Sequence, residues 1–220
     1  MKRDLPSLIL IRHGETQWNV AGRLQGRKDT PLTANGVRQA LAVGLRLAER
    51  IADEEKNLTF WVSPLGRARQ TASILADTWS IPFDRFAEAA ALAERSYGAW
   101  EGLAHDEIER DLADQYDAHS ADPFDYSMPG GESRTALSAR LQAWLDTLDR
   151  GRRHVVVTHS GCLRALRGIY TAASRDEILA YREPQTASFL LTAGRETMLD
   201  VPLNILRALG CDGAGRTVWI

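Results

Sequence analysis

Three short apolar, β-branched or aromatic runs constrain the fold, because each ends in polar residues capable of chemistry. Ser7-Leu8-Ile9-Leu10-Ile11 runs into Arg12-His13-Gly14-Glu15, and Leu58-Thr59-Phe60-Trp61-Val62 runs into Ser63-Pro64. His154-Val155-Val156-Val157-Thr158 runs into His159-Ser160-Gly161. Near-continuous apolar runs of about five residues suit strands buried on both faces, as in a parallel sheet covered by helices. Helical patterns lie between them. Thr33 to Ile51 repeats Val37, Leu41, Leu45 and Ala48, with Thr33 as N-cap after Pro31. Arg67 to Trp79, Glu132 to Leu148 and Leu163 to Tyr170 read the same way, the second of these opened by Pro129-Gly130-Gly131. The alternation predicts an α/β fold of three layers, α/β/α, with a mainly parallel central sheet. Ala187 to Leu191 and Thr217 to Ile220 are weaker strand candidates, read as edge strands.

Composition excludes more than it assigns. The 220 residues are 44% apolar with a formal charge of -2, as in an ordinary globular chain. No window approaches the roughly 18 uninterrupted apolar residues of a membrane span. The amino end has no small-residue cleavage site, so no secretory signal is expected. Two cysteines, Cys162 and Cys211, exclude a disulfide scaffold and a four-cysteine zinc site, which makes the cytoplasm the expected compartment. Of 27 basic residues only Lys2, Lys28 and Lys56 are lysines. The arginine skew fits codon bias as well as anion handling. With 29 acidic residues mixed in, there is no basic field for nucleic acid. Leu103 to Met128 carries eight acidic residues against Arg110 alone, and reads as a helical cover (roughly 103–128) inserted in one domain spanning 1–220.

Ligands of open α/β sheets bind beyond the carboxyl ends of the strands. Those ends present Arg12, His13 and His159, with Arg67 just past the second run. Like-charged ionisable groups gathered together repel one another, so an anion is expected between them. Arginine forks hold a tetrahedral oxyanion through paired hydrogen bonds, and Gly14 would let the backbone approach and add an amide donor. A histidine with one nitrogen held by a carbonyl presents the other as nucleophile. The expected site is a phosphoryl site worked by positioning and charge neutralisation.

Ile11-Arg12-His13-Gly14-Glu15-Thr16 with Asn19 resembles the RHGE signature of the histidine phosphatase superfamily, which includes the cofactor-dependent phosphoglycerate mutases. The resemblance continues through Ser63-Pro64-Leu65-Gly66-Arg67-Ala68-Arg69-Gln70-Thr71-Ala72 and Leu92-Ala93-Glu94-Arg95-Ser96-Tyr97-Gly98. It ends with Pro129-Gly130-Gly131-Glu132-Ser133 and Thr158-His159-Ser160-Gly161. It implies that His13 becomes phosphohistidine, that Arg12, Arg67 and His159 hold the phosphoryl oxygens, and that Glu94 is the general acid and then the base. A neighbouring phosphate would favour the protonated form of that carboxyl. The resemblance places Asn19, Gly14, Arg95, Tyr97 and Ser160 as substrate-binding positions, and implies no metal and no cofactor.

Duller readings stand beside these. Glu88 and Glu101 compete with Glu94 for the acid, and Cys162 reads as packing behind the site. His105 and His119 read as solvated, Arg69, Arg164 and Arg167 as surface charge, and His154 as remote from the ligand. The expected activity is hydrolysis of a small phosphorylated metabolite, most like the small bacterial branch with broad-specificity and α-ribazole phosphate phosphatases. A phosphoglycerate mutase is the alternative, disfavoured because the cover is acidic and Ser160-Gly161 stands where mutases usually carry Gly-Asn. A silent phospholigand-binding protein is a third reading, and a homodimer is left open.

Overall fold

The computed structural model describes residues 5–211; the strand expected at Thr217 to Ile220 lies outside the described residues. The chain forms β1 (Ser7–Arg12), β2 (Leu58–Val62), β3 (Phe86–Glu88), β4 (Arg153–Thr158), β5 (Ala187–Thr192) and β6 (Arg195–Asp200). They make one sheet in the order β3-β2-β4-β1-β5-β6. The first four strands of that order run parallel, while β5 lies antiparallel to both β1 and β6. β5 is therefore interior, not the edge strand expected from its sequence. The edge is β6, joined to β5 through Ala193-Gly194 with φ of 51° and 72°. Positive φ at both turn positions matches the twist of a two-residue hairpin.

Alternation along β1 assigns the two helical layers. Ile9 and Ile11 pack against α2 (Ala34–Glu54) and α3 (Gly66–Thr78), together with Leu206 of α9 (Leu203–Ala208). Leu8 and Leu10 face α6 (Arg134–Leu145) and α7 (Ser160–Thr171). All four β1 side chains are buried, each contributing roughly 1.5–3 kcal/mol. Thr33 caps α2 as expected, its hydroxyl accepting from the Gly36 amide at 2.9 Å. Among the described residues no helix is long and apolar enough to cross a membrane.

The acidic stretch folds into α4 (His105–Asp111) and α5 (Ala113–Ala121). Most of its carboxylates point to solvent, yet it has a core of its own: Ile108 and Met128 close over Leu24 and Trp100. His119 belongs to that core and is not solvated. Its ring meets Trp100 edge-on at 5.5 Å, and burial lowers its pKa to about 4.

Candidate active site

Adjacent strands β2, β4 and β1 bring three polar residues into one row. The amide of His13 donates to the Thr158 carbonyl at 3.0 Å, and that of Ser63 donates to Val157 at 3.0 Å. Parallel register therefore sets His13 beside His159, their ring centroids 5.1 Å apart. Both rings are buried. Burial, with Arg67 and Arg12 nearby, holds the His13 pKa well below its ordinary value. Burial and the same arginines do the same to His159, with His13 adding to the effect.

The neutral His13 has a defined tautomer. Its Nδ1 lies 2.8 Å from the Gly14 carbonyl, which can only accept, so the proton is on Nδ1. Nε2 then carries the lone pair, and Arg67 Nε donates toward it at 3.3 Å. His159 Nε2 lies 2.7 Å from the Ser63 hydroxyl, and that oxygen accepts from the Leu65 amide. If the Ser63 proton goes to Nε2, Nδ1–H becomes a donor. That Nδ1 is buried without a partner among the described residues. A neutral donor beside a neutral nucleophile suits an anionic guest.

Arg67 is fixed by four hydrogen bonds to three acceptors besides its contact with His13. NH1 donates to the Lys28 carbonyl and to Asp29, NH2 donates to Gly26, and its own backbone amide also reaches Asp29. Arg12 donates to the Glu183 carbonyl at 2.8 Å and keeps a buried Nε without partner among the described residues. Glu94 lies in the same pocket. Its two carboxylate oxygens accept from the amides of Arg95 at 2.7 Å and Gly161 at 3.0 Å. A side chain at Gly161 would put Cβ 2.4 Å from Glu94 Oε1, so the carboxylate needs glycine there. Neither competitor shares this place. Glu101 is tied to the amides of Arg27, Lys28 and Tyr97, and Glu88 pairs with exposed Arg69 at 3.0 Å.

The accessory positions divide. Asn19 lines the pocket, its Oδ1 accepting from Thr16 and Gln185, which leaves Nδ2 for a guest. Ser160, Arg95 and Tyr97 line it too, the Arg95 guanidinium lying 4.5 Å from the Tyr97 ring centre. Gly14 corrects an expectation. Its amide donates to Thr71, and a Cβ there would meet the Gly36 carbonyl at 2.3 Å. The missing side chain serves contact between β1 and α2, while its carbonyl orients His13.

Several site residues escaped sequence reasoning. Glu183, fully buried, accepts from Ser160, Arg164 and Arg167, while its carbonyl holds Arg12. Arg164 and Arg167 are thus not surface charges, and Arg164 lines the pocket with Arg23 and Arg134. The pocket is cationic although the cover is acidic: Glu107 pairs with Arg23 at 2.8 Å and caps the Ala104 amide, and it does not line the pocket. The charge argument drawn from the acidic cover therefore fails. Cys162 packs behind the site, its thiol pKa pushed up by burial, and is no thiolate nucleophile. His154 lies at the other end of β4, held by Trp61 and the Asp149 carbonyl.

Comparisons with known proteins show the family. Residues 8–199 match the Histidine phosphatase superfamily (branch 1). The chain is 36% identical over 178 residues to a metal-independent phosphoserine phosphatase from Arabidopsis thaliana, covering 79% of this chain and 72% of the relative. It is 30% identical over 207 residues to a 2,3-bisphosphoglycerate-dependent phosphoglycerate mutase from Azorhizobium caulinodans, covering 90% and 98%. The α-ribazole phosphatase from Shigella flexneri superposes with a TM-score of 0.73 at 28% identity, over 89% of this chain and 95% of that one. With the family matched across the sheet and the site it carries, the chain belongs to the histidine phosphatase superfamily, branch 1.

Proposed function

We propose that the chain hydrolyses phosphomonoesters of small metabolites through a phosphohistidine on His13. The single observation that carries this reading is the His13 tautomer: Nδ1 is held by the Gly14 carbonyl, and Nε2 faces Arg67 inside a cationic pocket. Arg12, Arg67 and His159 hold the phosphoryl oxygens. Nε2 attacks phosphorus as the bond to the alcohol oxygen breaks, and Glu94 gives that oxygen a proton. Water then attacks the phosphohistidine and gives its proton to Glu94, the N–P bond breaks, and neutral His13 and orthophosphate remain. Positioning and charge complementarity supply the acceleration. The free thiols of Cys162 and Cys211 suit a reducing compartment, and we place the enzyme in the cytoplasm.

The test is turnover of an aryl phosphate in a chelator-treated buffer, with inhibition by vanadate. Acid-labile labelling by a radioactive phosphomonoester is expected in the wild type and lost in His13→Ala. Absence of turnover between about pH 5 and 8 overturns the reading, and labelling that persists in His13→Ala moves the nucleophile elsewhere. A mutase has one observation in its favour, the cationic pocket beyond the phosphate ligands. Product analysis of 3-phosphoglycerate with and without 2,3-bisphosphoglycerate separates the two: hydrolysis gives orthophosphate, transfer gives an isomer.

A further inference from the structure

Arg12 enters the phosphoryl site from the end of β1, but the group that aims it comes from a distant part of the chain. Its NH1 donates to the Glu183 carbonyl at 2.8 Å. Glu183 stands between α8 (Arg175–Ala180) and β5, and the Pro184 that follows it favours extended backbone at Glu183. Its carboxylate is fully buried, and a buried charge persists only where partners satisfy it. Those partners come from one face of α7. Ser160, Arg164 and Arg167 are four and three residues apart, so they form a single stripe along the helix. Oε2 accepts from the Ser160 hydroxyl at 2.8 Å and from Arg164 Nε at 2.9 Å, and Oε1 accepts from Arg167 NH1 at 3.3 Å. Arg167 is anchored in turn. Both oxygens of Glu196 on β6 hold it at 2.7 Å, and its guanidinium lies 4.0 and 4.1 Å from the ring centres of Tyr181 and Phe189.

The same short segment holds a second pocket residue. The buried Gln185 side chain donates to Asn19 Oδ1 at 3.2 Å, and Asn19 lines the pocket. Resting on the phosphatase reading, we propose that Glu183 is the positioning residue of the phosphoryl clamp. Its carboxylate pins Glu183-Pro184-Gln185 to α7, so that its carbonyl fixes the Arg12 fork and Gln185 fixes Asn19. With NH1 held, the buried Arg12 Nε, which has no partner among the described residues, is the group that donates to a phosphoryl oxygen. A fork oriented before the guest arrives loses little freedom when the guest binds. The charge of Glu183 acts in the same sense, because it is the strongest influence opposing the fall in Arg12 pKa that burial causes. Glu183 does not itself line the pocket, so its effect reaches the phosphoryl group and not the alcohol portion. Its loss is therefore expected to weigh equally on every leaving group, unlike the loss of Glu94.

The test is the vanadate Ki of Glu183→Gln, measured with an aryl and an alkyl phosphate as substrates. Ki does not depend on how much of the enzyme is folded, so a merely structural role would leave it unchanged. We expect Ki to rise about tenfold or more, the scale of one charge-assisted hydrogen bond, and kcat/KM to fall by a similar factor for both substrates. Glu183→Asp keeps the charge with a shorter reach and should fall between Glu183→Gln and the wild type. In an Arg12→Lys background, which has already lost the fork, Glu183→Gln should raise Ki far less than it does alone. An unchanged Ki, an equal factor in both backgrounds, or a larger loss for the alkyl ester overturns the positioning role and leaves the phosphatase reading intact. Where Glu183→Gln does not fold, Glu183→Asp is read in its place, and a wild-type Ki there overturns the role. Should the wild type turn over neither ester, the phosphatase reading falls, and calorimetric binding of vanadate decides the role of Glu183. Weaker binding in Glu183→Gln supports it, while equal binding, or none to either protein, overturns it.

Discussion

At the scale of residues, Glu94 and Gly161 behave as one device. The carboxylate is held by two backbone amides, one from its own neighbour and one from the first turn of α7. Glu94→Gln keeps the shape and removes the transferable proton, so hydrolysis of alkyl phosphates should slow roughly 10²–10⁴-fold. An aryl phosphate, whose leaving oxygen needs little protonation, should be affected far less. Gly161→Ala should show the same leaving-group dependence, because its Cβ displaces Oε1 from 2.4 Å away. Equal slowing of both substrate types would remove Glu94 from the proton-transfer role. The motif around Glu94 was legible in the sequence because the tract is contiguous. Glu183 was not, since its importance arises from Arg12, 171 positions away, and from two arginines of α7 whose own periodicity makes them look solvent-facing.

At the scale of elements, legibility followed apolar content. β1, β2 and β4 are buried runs and were readable directly. β6 (Arg-Glu-Thr-Met-Leu-Asp) covers a sheet edge with exposed side chains, so no apolar alternation announces it. β3 has three residues, too few for a period to register. α7 begins at Ser160, three residues earlier than the apolar pattern suggests, and those three residues supply the amide that holds Glu94. Its other end is strained. Ala172 closes the helix with φ of 56°, a left-handed position where Cβ crowds the following carbonyl. Ala172→Gly should stabilise the fold by about 1 kcal/mol, which for a chain of this size raises Tm by roughly 2–4 °C. A thermal melt of that variant with unchanged or lower Tm would show that Ala172 bears no such strain.

For the whole molecule, the decisive quantity is the number of histidines kept neutral by folding. Burial lowers the pKa of His13, His119, His154 and His159, that of His119 to about 4. In the unfolded chain each would titrate near 6.5. As pH falls below that value the unfolded state binds protons that the native state refuses, so stability rises with pH through this window and is lost on acidification. The slope is at most about 1.4 kcal/mol per pH unit for each histidine, acting against a total stability of roughly 5–15 kcal/mol. Urea midpoints should therefore be nearly constant above pH 7 and fall steeply toward pH 5. His119→Phe tests the assignment away from the reacting groups. A phenyl ring keeps the contacts with Trp100 and Tyr126, whose centroids lie 5.5 and 6.1 Å from His119. It also removes the buried Nε2 that has no partner among the described residues. The variant should lose one histidine's share of the acid slope while the loss due to His13, His154 and His159 remains. An unchanged slope in His119→Phe would mean that the cover does not hold this histidine neutral. Flat stability from pH 7 to 5 in the wild type would mean that the active-site pair is protonated in the resting enzyme, which is incompatible with His13 as a nucleophile at those pH values.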